Sequence, residues 1–374
     1  MCPERQGASP NQICLLPEPQ CTLVGEFTRQ VTRRGARGGF LKILGIDTSC
    51  DDTSCAVVLN GRKVLSSIVS SQVDLHERFG GVVPEIASRK HMEMMIPVVE
   101  ECLAQASLAL SDLDGIAVTY GPGLLGSLLV GVSYSKSLAY GLGLPLAGVH
   151  HLEGHISANF LRDDPPPFPL LNLVVSGGHS DLILMRDHGD YSVLGETLDD
   201  AAGEVFDKVA RELGLPYPGG PHLDKVADLG DEDEVRFTHP KIQGNRFDFS
   251  FSGTKTRALQ EFEKRGASPE TVRNIAAGLR KAIVRDLLYN VPEVMRLTGA
   301  RAFAVSGGVA ANSLLRKEAE ELSGRLGVPL YIPPKEYCTD NGAMIASAGY
   351  FRLMAGKVSG PDLSAEASLP LTSW

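Results

Sequence analysis

Twice in this chain an apolar strand runs into a turn of small and polar residues and back out into a second strand. That duplicated plan constrains the fold more than any single motif. In the first copy KILGID (Lys42 to Asp47) leads through TSCDDT into SCAVVL (Ser54 to Leu59). In the second, LLNLVV leads through SGGHS into DLILM, which ends at Met185. Each reads as a hairpin whose tip presents hydroxyls, carboxylates or bare backbone. Helical spacing follows the first copy over Pro84 to Leu108, with Pro84 in the first turn and Pro97 at a kink. A strand over Gly115 to Tyr120 comes next. After the second copy come a helix over Asp199 to Leu213, a strand over Arg301 to Ser306 and a helix over Ser313 to Arg325. A chain of 374 residues exceeds what one core supports. The expectation is an α/β fold of two lobes that clamps a ligand between them. The lobes are read as residues 41–155 and 156–338, with a helix over 339–357 returning to the first lobe and 358–374 as a tail.

The first forty residues stand apart, with no apolar period and no signal-peptide core. They read as an extension outside the fold, poorly ordered or belonging to a misassigned start. Arg29, Arg33, Arg34 and Arg37 favour a transit peptide, and Glu4, Glu18 and Glu26 oppose one. The composition is that of a globular chain, 43% hydrophobic and 22% charged, so the chain has enough apolar side chains to fill two cores. A net charge of −9 excludes a surface basic all over, so a nucleic acid must be met by a local patch or a helper subunit. The seven cysteines have no C-x-x-C pair, which suits a reducing cytosol and neither a disulfide framework nor a zinc knot. No apolar run reaches the roughly 18 residues of a membrane span.

GPGLLG (Gly121 to Gly126) satisfies G-x-G-x-x-G after a strand. It lacks the acidic residue about 20 positions on that a dinucleotide ribose requires, and Ser127 stands where a P-loop has lysine. It reads as the structural start of a helix. SGGHS and SGGVAAN (Ser306 to Asn312) are turns whose paired glycines let backbone amides converge on an anion. With TSCDDT they make three such turns at strand ends, which points to a nucleotide or acyl-adenylate between the lobes.

HHLEGH (His150 to His155) packs three imidazoles and a carboxylate into six residues. His151 and His155 are four apart, so on a helix they differ by about 40° and share a face. His150 points elsewhere. Glu153 lies two residues after His151, about 200° away, whereas H-E-x-x-H proteases place their glutamate beside the ligands. Two histidines with ordinary hydrogen bonds would give the same spacing. A metal needs at least one further ligand, and YCTDNGAMIA (Tyr337 to Ala346) offers Asp340 in a turn before a helix.

GIDTSCDDT, FGGVVPEIASRKH, GPGLLGSLLVG, HHLEGH, VVSGGHSDL, FDKVARELGLPYPGGP, FSFSGTKT, SGGVAANSLLR and CTDNGAMIA occur in this order between about Lys42 and Met354. Together they resemble the tRNA N6-adenosine threonylcarbamoyltransferase family, once labelled O-sialoglycoprotein endopeptidases. The resemblance implies a two-lobed fold like those of actin, Hsp70-type chaperones and sugar kinases. It implies transfer of threonylcarbamoyl from threonylcarbamoyl-AMP to the exocyclic amine of the adenosine 3′ of the anticodon, in tRNAs reading codons that begin with A. One divalent metal per chain, iron(II) or alternatively zinc(II), would be held by His151, His155 and Asp340. Val174, Val175, Ser176, Gly177 and Gly178 would line the donor, with Asp207, Gly220, Asp224 and Asn312 on its adenylate. Ser49, Asp51 and Asp52 would approach the phosphate and the carbamoyl group. Asp52 stands where the family commonly has Glu, Thr254 where it has Leu, and Phe79 where it often has Tyr.

On that reading backbone amides of Ser176 to Gly178 hold the threonyl or phosphate end, and Asp51 or Asp52 receives the proton leaving the amine. The implied partners are the tRNA anticodon loop, a paralogous dimerisation subunit of the TsaB type and a small ATPase of the TsaE type, or a second copy of the chain in the mitochondrial branch. The expected compartment is the cytoplasm, or the mitochondrion if residues 1–40 are a transit peptide. The competing readings are a metalloendopeptidase acting on glycoproteins and a non-catalytic nucleotide-binding module.

Overall fold

The computed structural model describes residues 40–374, so the reading of the preceding residues as an extension lies outside the described residues. β1 (Lys42–Asp47), β2 (Thr53–Leu59) and β3 (Lys63–Ser70) form an antiparallel meander. β4 (Gly115–Gly121) and β5 (Leu146–His150) then add in parallel on the far side of β1. The order is β3-β2-β1-β4-β5. Helices α1 (Val73–Glu77), α2 (Pro84–Ala106) and α3 (Leu125–Leu142) fill the connections. α2 continues through Pro97. A short helix α4 (His151–Ser157) follows β5 directly.

The second sheet repeats the first. β6 (Leu170–Val175), β7 (Ser180–Asp187) and β8 (Asp190–Gly195) form the meander. β9 (Ala302–Ser306) and β10 (Leu330–Tyr331) add in parallel beside β6, giving β10-β9-β6-β7-β8. The plan expected from two hairpins therefore extends to all five strands of each sheet. The 48–52 and 176–179 turns occupy equivalent positions. So do the ends of β5, which leads into His151, and β10, which leads towards Asp340.

The second lobe carries α5 (Ala202–Glu212), α6 (Gly219–Ala227), α7 (Ser252–Arg265), α8 (Pro269–Leu288), α9 (Val291–Thr298) and α10 (Ser313–Leu326). α5 starts at Ala202 and not at Asp199, because both aspartates ahead of it are engaged elsewhere. Asp199 accepts from the Ser250 and Ser252 hydroxyls, and Asp200 pairs with Lys208 and Lys255. Side chains of β6 alternate between two cores. Leu171, Leu173 and Val175 meet the α5–α8 helices, and Leu170 and Val174 meet Leu152 and Ile156 of α4. A strand apolar on both faces, broken here only by the buried Asn172, is what burial on both sides demands.

α11 (Gly342–Met354) packs across β1, β2, β4 and β5 of the first sheet. Its approach is close enough that a Cβ on Gly45 would lie 2.1 Å from Gly342 O. This contact brings the loop just before α11, and hence Asp340, to the end of β1.

GPGLLG does what its structural reading expects, opening α3 against the first hairpin turn. Leu124 N donates to Ser49 O at 2.8 Å, and a Cβ on Gly123 would sit 2.5 Å from that same oxygen. Gly123→Ala is therefore expected to lower stability by about 1–3 kcal/mol through overpacking. It should also displace the Ser49–Asp52 turn. Denaturant unfolding alongside donor binding checks both effects.

Candidate active site and metal centre

β5 ends at His150, whose Nδ1 accepts the Leu152 N–H at 3.1 Å and caps α4, while its Nε2 lies 3.0 Å from Leu369 O. Both ring nitrogens are spent, and burial drives its pKa down to about 4. His151 and His155 project together from one face of α4, with ring centroids 4.6 Å apart. Asp340 Oδ1 stands 3.4 Å from His151 Nε2 and 3.3 Å from His155 Nε2. Ligand atoms of all three lie within 4.8 Å of one another. Burial pushes Asp340 upward, but His151 and His155 outweigh it and hold the carboxyl well below its usual range.

His155 Nδ1 and His151 Nδ1 are buried without a hydrogen-bond partner. Buried polar atoms left idle call for an explanation. Two imidazoles facing an ionised carboxylate are a donor set for a divalent cation, and nitrogen-rich sites of this kind favour iron(II) or zinc(II) over magnesium. The residues present thus fit the metal that the family resemblance implies.

The first hairpin turn abuts this cluster through Asp47, which the sequence reading passed over. Its Oδ1 accepts the Ser49 amide and its Oδ2 the Ser49 hydroxyl, both at 3.2 Å, and Oδ2 lies 4.0 Å from His151 Nδ1. Ser49 is therefore buried with its hydroxyl engaged inside the protein. Burial raises the Asp47 pKa, with His151 opposing. His91 of α2 clamps the turn. Its Nε2 donates to Cys50 O at 3.0 Å, which leaves Nδ1 to accept from the Thr53 hydroxyl at 2.7 Å. Asp52 stands half-buried in the turn with Oδ1 unpartnered. Burial lifts its pKa to about 7, against the pull of Ser71.

The equivalent turn of the second lobe closes through Ser176 N to His179 O at 2.9 Å, while Gly178 N and His179 N approach the Ser176 hydroxyl at 3.4 and 3.2 Å. This corrects the expectation that three amides are free for the donor. The Ser176 amide closes the turn, Gly178's faces the Ser176 hydroxyl, and Gly177's has no internal acceptor among the described hydrogen bonds. Val174 and Val175 are wholly buried in β6. His179, missed as a site residue, is kept neutral, its pKa lowered to about 3 by burial and then by His151 and His155.

Two further clusters gather the remaining predicted residues. Asp207 Oδ1 accepts Gly220 N at 2.9 Å. Asp224 Oδ1 accepts from Asn312 Nδ2 at 2.9 Å and Arg280 Nη1 at 2.8 Å, and its Oδ2 accepts Ser313 N at 3.0 Å. Arg280, buried in mid-α8, is the member no motif announced. A cavity of about 840 Å³ opens between the lobes, with Gly80, Gly81 and Leu124 on one side and Gly177, Asp207 and Tyr217 on the other. Tyr217 is pushed upward by burial and then by Asp51 and Asp207, so groups of both lobes act on this one phenol. A separate cavity of about 590 Å³ beside α8 and α10 contains none of these residues.

Glu153 is buried, and its carboxylate accepts from Arg352 and from the Trp374 indole. It is not available as a base for a metal-bound water, which removes the feature that makes HHLEGH look like a peptidase motif.

The family model for tRNA N6-adenosine threonylcarbamoyltransferase matches residues 63–347. A protein of that name from Clostridium botulinum (strain 657 / Type Ba4) is 49% identical over 335 residues, covering 88% of this chain and 98% of its own length. One from Symbiobacterium thermophilum is 51% identical over 330 residues, covering 88% and 96%. Among solved structures, HypF from T. kodakarensis aligns with a TM-score of 0.58 at 17% identity, over 86% of this chain and 49% of that one. Full-length HypF in its phosphate- and nucleotide-bound form aligns at 0.56 and 15%, over 85% and 46%. This chain thus corresponds to about half of each HypF chain, and the likeness establishes the two-lobed actin-like fold alone.

Proposed function

This chain belongs to the tRNA N6-adenosine threonylcarbamoyltransferase family, and on that premise we propose how its cleft carries out the transfer. The chain is a transferase that moves threonylcarbamoyl from threonylcarbamoyl-AMP to the exocyclic amine of the adenosine 3′ of the anticodon, in tRNAs reading codons that begin with A. The observation that carries the site assignment is the convergence of His151, His155 and Asp340 beside the Asp47–Asp52 turn at the end of β1.

The adenylate lies in the interlobe cavity, along Asp207, Gly220 and the Asp224–Asn312 cluster. The β6–β7 turn meets the donor with the Gly177 amide, and its neutral His179 adds no charge beside the reacting group. The acyl donor is a mixed anhydride, already activated, while the adenine amine is a weak nucleophile, so positioning supplies much of the rate. The amine nitrogen attacks the carbamoyl carbon, the C–N bond forms, and the C–O bond to AMP breaks with its electron pair leaving on AMP. Asp52 takes the amine proton, and His91 holds the turn that aims it. A divalent cation, iron(II) or zinc(II), held by His151, His155 and Asp340 would supply positive charge to the donor's phosphate and carbamoyl oxygens. The target base lies in a loop, where it is splayed out more cheaply than from a duplex.

The partners belong to the same proposal. A paralogous dimerisation subunit and a small ATPase assist an acidic chain whose neighbouring helices α2 and α3 expose Met92 and Ile96, and Leu125 and Leu129. An apolar face of this kind suits a subunit that covers it with helices of its own. The cytoplasm is the proposed compartment. Among the described residues no helix is long and apolar enough to cross a membrane.

AMP release tests the reading. With its partners and threonylcarbamoyl-AMP, the chain is expected to release AMP in step with unmodified tRNA added. Release at the same rate without tRNA would favour a nucleotide-binding module.

A further inference from the structure

The function so far leaves one buried charge of HHLEGH without a purpose. Glu153 is 1% exposed and faces away from His151 and His155. Its Oε2 accepts from Arg352 Nε at 2.8 Å and lies 2.6 Å from Arg352 Nη2. Its Oε1 accepts from Trp374 Nε1 at 2.7 Å and from the Tyr191 hydroxyl at 3.4 Å. The Arg352 guanidinium also lies over the Trp374 ring, 5.1 Å from its centroid.

These partners sit on significant elements. Arg352 belongs to α11, the helix that begins two residues after Asp340, where Asn341 caps it by accepting Met344 N at 2.9 Å. The metal centre thus takes two ligands from α4 and one from the start of α11, and its geometry depends on how those helices are set against each other. At Gly154 they touch through apolar groups, where an added Cβ would meet Ile345 Cδ1 at 2.6 Å. Apolar contacts are non-directional and allow sliding. The two-pronged Glu153–Arg352 pair is directional and fixes one register.

Trp374 arrives from elsewhere. The segment after α11 bonds to the first sheet through Ser359 N to Leu146 O at 2.7 Å and Glu366 N to Tyr120 O at 2.8 Å. It takes the His150 ring on Leu369 O, then crosses to the second lobe, where Trp374 N donates to Gly189 O at 2.9 Å. This strap touches β4, β5 and the β7–β8 hairpin, and it ends on the carboxylate that joins α4 to α11.

We propose that Glu153, Arg352 and Trp374 are positioning residues of the metal centre, an ion pair clamped by the strap that sets the spacing of His151 and His155 from Asp340. This inference rests on the metal reading above. Residues that orient a ligand set typically change metal affinity by about 10–100-fold when replaced.

Cobalt(II), which accepts the same nitrogen and oxygen donors, is the probe, titrated into the metal-free full chain and read by its visible absorption. Glu153→Gln is expected to weaken cobalt affinity at least about tenfold. Trp374→Phe, which keeps the ring over Arg352 and removes one donor, should weaken it less. Because loss of the carboxylate leaves the partly buried Arg352 guanidinium unpaired, the double variant Glu153→Leu/Arg352→Leu provides the control. Apolar replacement removes both charges together, so weakened cobalt binding in a double variant that still unfolds cooperatively supports the proposal, even where its midpoint falls because Tyr191 and Trp374 lose their acceptor. Unchanged affinity and spectrum in folded Glu153→Gln or in the double variant would overturn it. No cobalt bound by the unaltered chain would overturn the metal site itself, and the inference with it.

Discussion

Asp52→Asn is expected to lower the rate of threonylcarbamoyl transfer about 10²–10⁴-fold, the range spanned by general-base catalysis, while donor affinity stays close to that of the unaltered chain. Burial in the first hairpin turn raises the Asp52 pKa to about 7. A base of that pKa suits work at neutral pH. The sign follows directly. The active form is the carboxylate, whose share grows as pH rises through the pKa, so kcat/KM should climb between about pH 6 and pH 8. In Asp52→Asn that limb disappears, and in Asp51→Asn it stays. Asp52→Glu, which supplies the longer carboxylate common in the family, should keep it. A pH–rate profile that retains the limb in Asp52→Asn and loses it in Asp51→Asn would exchange the two roles.

Asp340→Ala is expected to empty the metal site and to cost more activity than the roughly 10–100-fold of supporting residues, since it removes a ligand. The fold should survive. Asn341 and Gly342, which cap α11 and pack it against β1, are untouched, and the change relieves a charge held among buried groups. Dialysis of the unaltered chain against a chelator should abolish activity, and a divalent ion should restore it. The variant should not respond to metal. Elemental analysis finding the variant as metal-rich as the unaltered chain would move the cation elsewhere.

The parts of this protein legible in its sequence are those written by local chemistry. ILGI of the first hairpin and LLNLVV of the second, apart from Asn172, are apolar on both faces because both sheet faces are covered, and that signal needs no tertiary knowledge. The edge strand β3, KVLSSIVS, is half polar and carries no such signal. α8 escaped for the opposite reason. Arg280 and Asp286 lie buried within it, so charge appears where an amphipathic pattern requires apolar residues. His151 and His155 can be paired by helical arithmetic, and Glu153 set aside by it. Asp340 cannot be joined to them without a known family, because the meeting is made by β10 and the crossing of α11. Asp47, His91 and His179 are far apart in sequence, and only packing shows them around one site. Arg352 and Trp374, which hold Glu153 with Tyr191, are 199 and 221 residues away, a distance no spacing rule spans.

On the proposed function, the interlobe cleft and its His151–His155–Asp340 centre together transfer threonylcarbamoyl to tRNA. Nucleoside mass spectrometry of unmodified tRNA incubated with the chain, its partners and threonylcarbamoyl-AMP tests it most directly. Threonylcarbamoyladenosine is expected 3′ of the anticodon with the unaltered chain, and almost none with Asp340→Ala. No modified nucleoside with the unaltered chain, or equal yields from both, would contradict it.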